Sequence, residues 1–186
     1  MSWPIIAGIT SICASGAKDT RERTAKPVVA VSILPQQYFV NRIAENRVTA
    51  LVLVGPGQSP HSYEPTPAQM AALSKASAWI TQGTDFEIGL EPKIAAQFPN
   101  LKTVHGTDGV KLRELQEYEQ ELGEEHHEEG EAHHDANIDR HTWIGRIPAK
   151  IMAAHIRDAL AAVDPVGKDA YTANGESLLK DMALAP

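Results

Sequence analysis

The chain of 186 residues contains a single cysteine, Cys13. An intramolecular disulfide and a cysteine-based zinc finger are both excluded, so any metal site has to be built from histidines and carboxylates. Basic residues are also few, since 17 Lys and Arg stand against 24 Asp and Glu, for a net charge of −7. This balance argues against nucleic acid as a partner, because nucleic-acid binding calls for a basic surface.

Several catalytic signatures are missing as well. The sequence has no glycine-rich phosphate loop of the Walker or Rossmann kind, no His-Glu-x-x-His helix and no nucleophile elbow. A zinc-dependent hydrolase would need a general base beside a metal-bound water, and Glu64 is the one candidate. The chain is therefore not expected to be an enzyme.

Histidine, in contrast, is concentrated in one place. Four of the eight histidines lie in the acidic tract of residues 124–135, namely His126, His127, His133 and His134. Imidazole is a preferred zinc ligand, and carboxylates add oxygen ligands and negative potential. Ala132 is the one apolar residue of the tract. We expect a solvated loop that either binds zinc weakly and exchanges it quickly or carries charge without a function.

The hydrophobic pattern predicts an α/β fold, a parallel sheet with helices on both faces. Buried strands are expected at 28–33, 48–54, 78–81 and 102–104. Helices are expected between and after them, at 37–45, 67–75, 86–98, 148–163 and from 168 onward. Ligands bind outside the carboxyl ends of such strands. The loop that follows the second strand is therefore expected at the binding edge.

Two isolated histidines lie where such a fold could place a metal ligand. His61 is in the proline-rich loop after the second strand, and prolines lower the entropic cost of presenting a ligand. His141 lies two residues after Asp139, which could orient the imidazole by accepting its second N–H. From the residues alone, each position is equally consistent with an ordinary loop or helix-start histidine. His105 is expected to be a surface or hinge residue, and His155 a partly buried packing residue.

Two segments resemble the metal-ligand motifs of the zinc/manganese substrate-binding proteins of ABC transporters. Residues 57–69, Gly-Gln-Ser-Pro-His-Ser-Tyr-Glu-Pro-Thr-Pro-Ala-Gln, are similar to the first motif. Residues 139–144, Asp-Arg-His-Thr-Trp-Ile, are similar to the second, which is usually Asp-Pro-His-x-Trp. The helices from Pro148 onward match those of the family, and the His-rich acidic loop resembles the one that distinguishes its zinc-specific members. The resemblance covers the chain from about Pro27 onward.

This resemblance implies the N-terminal lobe of a two-lobe zinc-uptake receptor, which captures Zn²⁺ outside the cytoplasmic membrane and delivers it to an ABC permease. His61 and His141 would be zinc ligands, with Asp139 and Glu64 beside them in the second shell. The C-terminal lobe would supply a third histidine and a carboxylate or water. A manganese-binding member and a surface adhesion protein of the same family are the alternatives; for adhesion, the aromatic content of 5% is low.

The resemblance also predicts how the chain is organised. Three segments are expected: a signal-like stretch and tether at 1–26, a metal-binding lobe at 27–165 with the His/acid-rich loop at about 118–138, and the start of the inter-lobe helix at 166–186. The protein would be periplasmic or anchored on the outer side of the cytoplasmic membrane, where Cys13 could carry a lipid. The chain is expected to be truncated in the joining helix, so that the second lobe is missing.

One departure from the family pattern bears on the site. Arg140 stands where the second motif usually has proline. We expect this residue to loosen the backbone beside His141 and to place a cation near the metal.

Overall fold

The computed structural model describes residues 25–114 and 138–184; residues 1–24 of the signal-like segment and the His-rich tract lie outside these ranges. Four parallel strands form the main sheet, β1 Val28–Ile33, β2 Thr49–Val54, β3 Ala78–Thr81 and β4 Lys102–His105. Their order is β2-β1-β3-β4. The chain thus adds β2 on one side of β1 and then adds β3 and β4 on the other side. A crevice is expected between the carboxyl ends of β1 and β3, where the winding direction changes.

In the described part of the chain, α-helices cover both faces of this sheet. They are α1 Leu34–Ala44, α2 Pro67–Leu73, α3 Asp85–Gln97, α4 Arg146–Val163 and α5 Lys168–Leu184. Val29 and Val31 of β1 point into a core shared with α1, α4 and α5. Ala30 and Trp79 point the other way, into a core shared with α2 and α3. The predicted α/β architecture is confirmed, and the alternation of side chains along β1 explains its two apolar faces.

The junction between β1 and α1 differs slightly from the expectation. Helix α1 begins at Leu34, before Pro35, because a proline in the first turn removes no intrahelical hydrogen bond. The buried amide of Gln36 accepts the backbone N–H of Ser32 at 2.9 Å and donates to the carbonyl of Thr81 at 3.1 Å. Gln36 therefore ties the carboxyl end of β1 to that of β3.

Strand β2 is less buried than its apolar sequence suggests. Leu53 and Val54 are buried near its end, whereas Thr49 at its start is exposed. The reason is its place at the edge of the sheet, where one side of the strand has no neighbouring strand.

Two very short strands were not predicted. They are β5 Arg113–Glu114 and β6 Ile138–Asp139, which pair antiparallel with Arg113 opposite Asp139. Strands of two residues have no hydrophobic period that a sequence could reveal. Their pairing brings the residues just before and just after 115–137 side by side. Within 25–114 and 138–184, no helix is both long and apolar enough to cross a membrane.

Candidate metal site

His61 lies in the loop that connects β2 to α2, at the carboxyl edge of the sheet. The loop is anchored on both sides of the histidine. The backbone N–H of His61 donates to the Ser59 hydroxyl at 3.3 Å, and the buried ring of Tyr63 packs edge-on against Phe86 at 4.9 Å between centroids. The imidazole itself is 64% exposed. The loop therefore holds its backbone in place and presents the ring to solvent.

Asp85, the first residue of α3, orients the His61 ring. Its Oδ2 lies 2.8 Å from Nδ1 of His61. A carboxylate accepts a hydrogen bond, so Nδ1 carries the proton and Nε2 is left free as a metal ligand. Asp85 was not among the site residues predicted from the sequence. The signal for it was its place four residues after the third predicted strand, which puts a carboxylate on the same edge of the sheet as His61.

Asp139 orients the ring of His141 in the same way. One oxygen, Oδ1, accepts the backbone N–H of His141 at 3.0 Å and lies 3.0 Å from Nδ1 of its ring. The other oxygen is 3.1 Å from the guanidinium of Arg113. The hydrogen bond from the His141 backbone, followed by the one from Arg113, holds the pKa of Asp139 below its usual value. Asp139 thus orients the His141 ring through Nδ1 and leaves Nε2 pointing away from the carboxylate.

The fold brings the two histidines together. Their ring centroids are 6.5 Å apart and the ring planes are inclined by 57°. Zinc binds imidazole nitrogen at about 2.0–2.1 Å, so the rings would have to approach slightly to share an ion. Rotation about the side-chain bonds allows this, since both rings are at least half exposed. Within the described residues, no group of three or more His, Cys, Asp or Glu side chains is arranged to hold a metal.

Arg140 turns toward α3 and the turn that precedes it. Its side chain is only 17% exposed, and its Nε lies 3.3 Å from Oδ1 of Asp85. A terminal nitrogen donates to the carbonyl of Gly83 at 2.6 Å. The Arg140 guanidinium thus lies against the carboxylate that orients His61; its position relative to a bound metal stays a prediction.

A buried polar network supports the residue after His141. The Gln82 side-chain amide donates to the hydroxyl of Thr142. Glu87, which is 2% exposed, accepts the backbone N–H groups of Gln82 at 2.8 Å and of Thr84 at 2.6 Å. Burial raises the pKa of Glu87, and the hydrogen bonds that it accepts oppose this increase. The network joins the turn after β3 to the segment that carries His141.

The remaining predicted residues lie elsewhere. Glu64 is exposed and forms no hydrogen bond or ion pair within 25–114 and 138–184, so its second-shell role stays a prediction. His105 is 49% exposed at the end of β4, and Nε2 of His155 lies 3.0 Å from the carbonyl of Asp108. The accessory histidines of the tract are outside the described residues: His126, His127, His133 and His134.

Comparison with known proteins agrees with this architecture. The family model described as zinc-uptake complex component A, periplasmic, matches residues 29–184. The zinc-binding lipoprotein AdcA of Streptococcus pneumoniae is 24% identical over 96% of the chain, and the manganese-binding lipoprotein MntA of Halalkalibacterium halodurans is 29% identical over 96%. A crystal structure of a ZnuA deletion mutant with zinc bound superposes with a TM-score of 0.71, at 31% identity over 86% of the chain.

The chain spans only part of these proteins. It covers 35% of AdcA, 53% of MntA and 55% of the ZnuA structure. The coverage fits one lobe of the family fold. The three relatives are named as metal-binding or metal-bound proteins, none as an enzyme, and the family description places the family outside the cytoplasm. The chain therefore belongs to the ZnuA family, the periplasmic component A of zinc-uptake complexes.

Proposed function

We propose that this chain is the metal-capturing lobe of an extracytoplasmic zinc receptor that delivers Zn²⁺ to an ABC permease. The observation that carries the proposal is the pair formed by His61 and His141. They come from loops distant in sequence, and each ring is held through Nδ1 by its own carboxylate so that Nε2 is free. Carboxylate-oriented imidazoles are the usual arrangement of zinc ligands in proteins.

Zinc normally takes four protein or solvent ligands, so this pair would supply half of a coordination shell. The rest of the shell would come from groups beyond the described residues, such as the expected third histidine and carboxylate of a second lobe. In that organisation, residues 27–165 form the metal-binding lobe and 166–186 begin the inter-lobe helix. The start of helix α5 at Lys168 is the observation that supports this proposed boundary.

Manganese is the second candidate cargo, because MntA is named as a manganese-binding relative. The donors favour zinc. Imidazole nitrogen suits zinc, whereas manganese prefers carboxylate, carbonyl and water oxygens, and zinc forms the stronger complexes with a given nitrogen site. The two groups positioned to bind are both imidazoles, His61 and His141.

The His-rich tract is proposed as an accessory loop that gathers cations for this pair. Its support is positional. Strands β5 and β6 flank residues 115–137, and Asp139 at the end of β6 contacts His141 directly. Ions collected on the tract would therefore be released next to the site. The signal-like segment at 1–26 is likewise proposed to direct the protein outside the cytoplasm.

The proposal is tested by zinc titration of the 186-residue chain in competition with a chelator. Zinc bound to the histidines of the tract would mask binding at the His61–His141 pair. The titration therefore starts from a background variant in which His126, His127, His133 and His134 are replaced by alanine. In that background, His61→Ala and His141→Ala should each lower zinc affinity by more than the roughly 10–100-fold that loss of an outer-shell partner causes. Zinc should also displace Mn²⁺ from the unmodified site.

His155→Ala is the matched control, because it removes an imidazole bonded to the Asp108 carbonyl and not to the paired histidines. Its zinc affinity should equal that of the background variant. Equal affinities for the His61, His141 and His155 variants would disprove the assignment of the site. Stronger binding of Mn²⁺ than of Zn²⁺ would favour the manganese alternative.

A further inference from the structure

Arg140 connects the two halves of the histidine pair. It is the residue directly before His141, yet its side chain reaches the turn between β3 and α3. There it donates to the carbonyl of Gly83 at 2.6 Å and approaches Oδ1 of Asp85 at 3.3 Å. The other oxygen of the same carboxylate is the one that contacts Nδ1 of His61 at 2.8 Å. A single carboxylate thus lies between the arginine and the imidazole.

The surroundings show that this arginine is held in place. Its side chain is 17% exposed, whereas Arg113, which pairs with the orienting carboxylate of His141, is 82% exposed. An exposed ion pair contributes little, because water screens it and both side chains lose freedom. Asp85 is 51% exposed, so this pair is also partly screened, but the guanidinium of Arg140 is shielded and donates to the carbonyl of Gly83 as well. Arg140 is therefore held more firmly than Arg113.

The chemistry explains why an arginine suits this position. A guanidinium has several N–H donors in a fixed plane, so it can donate to a carbonyl and a carboxylate at the same time. A carboxylate such as that of Asp85 can only accept hydrogen bonds, and the guanidinium of Arg140 on its other oxygen fixes the direction in which it accepts. An accepting carboxylate keeps the proton on Nδ1 of His61 and leaves Nε2 free.

We propose that Arg140 is a positioning residue of the metal site: by bridging Gly83 and Asp85 it fixes the His61 ring and the His141 segment relative to each other. This inference rests on the proposed function for the effect on metal binding, but its effect on the His61 ring is independent of any metal. The positioning role predicts the direction in which zinc affinity changes when Arg140 is removed. If Arg140 acted only through its positive charge, its removal would strengthen zinc binding. If it positions the site, its removal weakens zinc binding.

The first measurement uses the metal-free chain with the alanine-substituted tract. Long-range ¹H–¹⁵N correlation spectra at about pH 8, where imidazole is mostly neutral, report which ring nitrogen carries the proton. In Arg140→Gln, His61 should shift from the Nδ1–H form toward the Nε2–H form. His141 should keep its form because Asp139 is untouched, so it serves as an internal control. An unchanged His61 ring in the Arg140 variant would overturn the proposal.

The second measurement is zinc affinity in the same background. Arg140→Gln should lower affinity by about 10-fold or more, as for loss of an outer-shell partner. The zinc affinity of Arg140→Lys should lie between that of the background variant and that of Arg140→Gln, since a single ammonium cannot reproduce both contacts. Arg113→Gln should change affinity by about threefold or less, in line with an exposed pair. Equal or tighter binding by Arg140→Gln, or full recovery by lysine, would overturn the proposal.

Two further variants distinguish a failure of the role given to Arg140 from a failure of the proposed zinc site. Asp85→Ala removes a carboxylate that is 51% exposed, so it should fold even where Arg140→Gln does not, and it should shift the His61 ring in the same way. An unchanged ring in Asp85→Ala would also overturn the proposal. If His61→Ala leaves zinc affinity unchanged, the proposed function fails. The ring measurement on metal-free protein still decides the role of Arg140.

Discussion

At the scale of single residues, this site depends on carboxylates that accept hydrogen bonds in fixed directions. Asp85 and Asp139 each use one oxygen for a histidine ring and the other for an arginine. Glu87 lies deeper and uses both oxygens for backbone N–H groups. In every case the oxygen is needed as an acceptor, and an amide in its place would turn one acceptor into a donor.

Glu87→Gln should weaken the fold, because it removes one of these acceptors. Glutamine has one acceptor oxygen, so its NH₂ group would face the backbone N–H of either Gln82 or Thr84 and leave that donor unsatisfied. Because Glu87 is 2% exposed, water cannot replace the lost bond. We expect the free energy of unfolding to fall by about 1–3 kcal/mol, measured by urea denaturation.

Glu91→Gln is the matched control for this substitution. Glu91 is in the same helix, but its side chain is 34% exposed. The one polar contact of that side chain among the described residues is a long one, 3.4 Å from a carboxylate oxygen to Nε2 of His105. The change there should stay within about 0.5 kcal/mol, as is usual for surface positions. A similar loss in both variants would contradict the role given to the Glu87 acceptors.

At the scale of elements, a polar cluster fixes the start of α5 against the rest of the lobe. Asp164, which follows α4, accepts the Tyr171 hydroxyl at 2.6 Å and the Nε of Arg47 at 2.8 Å. Gly167 makes the close approach possible, since a Cβ there would come within 2.6 Å of the Tyr171 ring. The cluster sets the direction in which the helix leaves α4.

The pKa of Asp164 predicts how this cluster responds to acid. Burial raises the pKa, but the hydrogen bonds from Tyr171 and Arg47 outweigh burial, so it is lowered overall. The cluster's contribution to stability is therefore complete above the ordinary aspartate pKa of about 3.9 and is lost as the pH falls below it. Asp164→Asn should destabilise the chain by about 1–3 kcal/mol at pH 7, and the difference should shrink toward pH 3.

Urea denaturation across this pH range measures both quantities. Asp158→Asn is a suitable comparison, because Asp158 is 67% exposed and pairs only with its neighbour Arg157 among the described residues. It should show almost no difference from the parent at any pH. A difference for Asp164→Asn that persists unchanged at low pH would contradict the ion-pair explanation.

The elements themselves were largely predictable. The four strands of the main sheet and the five described α-helices follow from apolar periodicity, and their predicted ends differ from the observed ones by no more than three residues. The exceptions were the paired strands β5 and β6, which depend on contact with each other and not on a local pattern. The edge position of β2 was also not predictable, because strand order is a property of the assembled sheet.

At the scale of the whole molecule, metal binding should stabilise the fold. The two histidines belong to separate loops that are adjacent only in the folded chain. An ion that binds them there and not in the unfolded chain adds about 2.7 kcal/mol at a concentration of 100 Kd. In the background with the substituted tract, zinc should raise the melting temperature by about 5–10 °C.

Calorimetry or circular dichroism with and without zinc tests this expectation. A chelator should reverse the shift, and the double variant His61→Ala/His141→Ala should show none. The same rise in the double variant would mean that zinc stabilises the chain from another position.

The sequence by itself determined the α/β class, the succession of its elements and the two histidine motifs, because burial periodicity and turn residues act over a few neighbouring positions. It also restricted any metal site to histidines and carboxylates, since Cys13 is the one cysteine. Only the tertiary structure decided that Asp85 orients His61 and that Arg140 spans from the His141 segment to Asp85. These contacts join residues far apart in the chain, and they exist because parallel strands bring their carboxyl ends to one edge of the sheet.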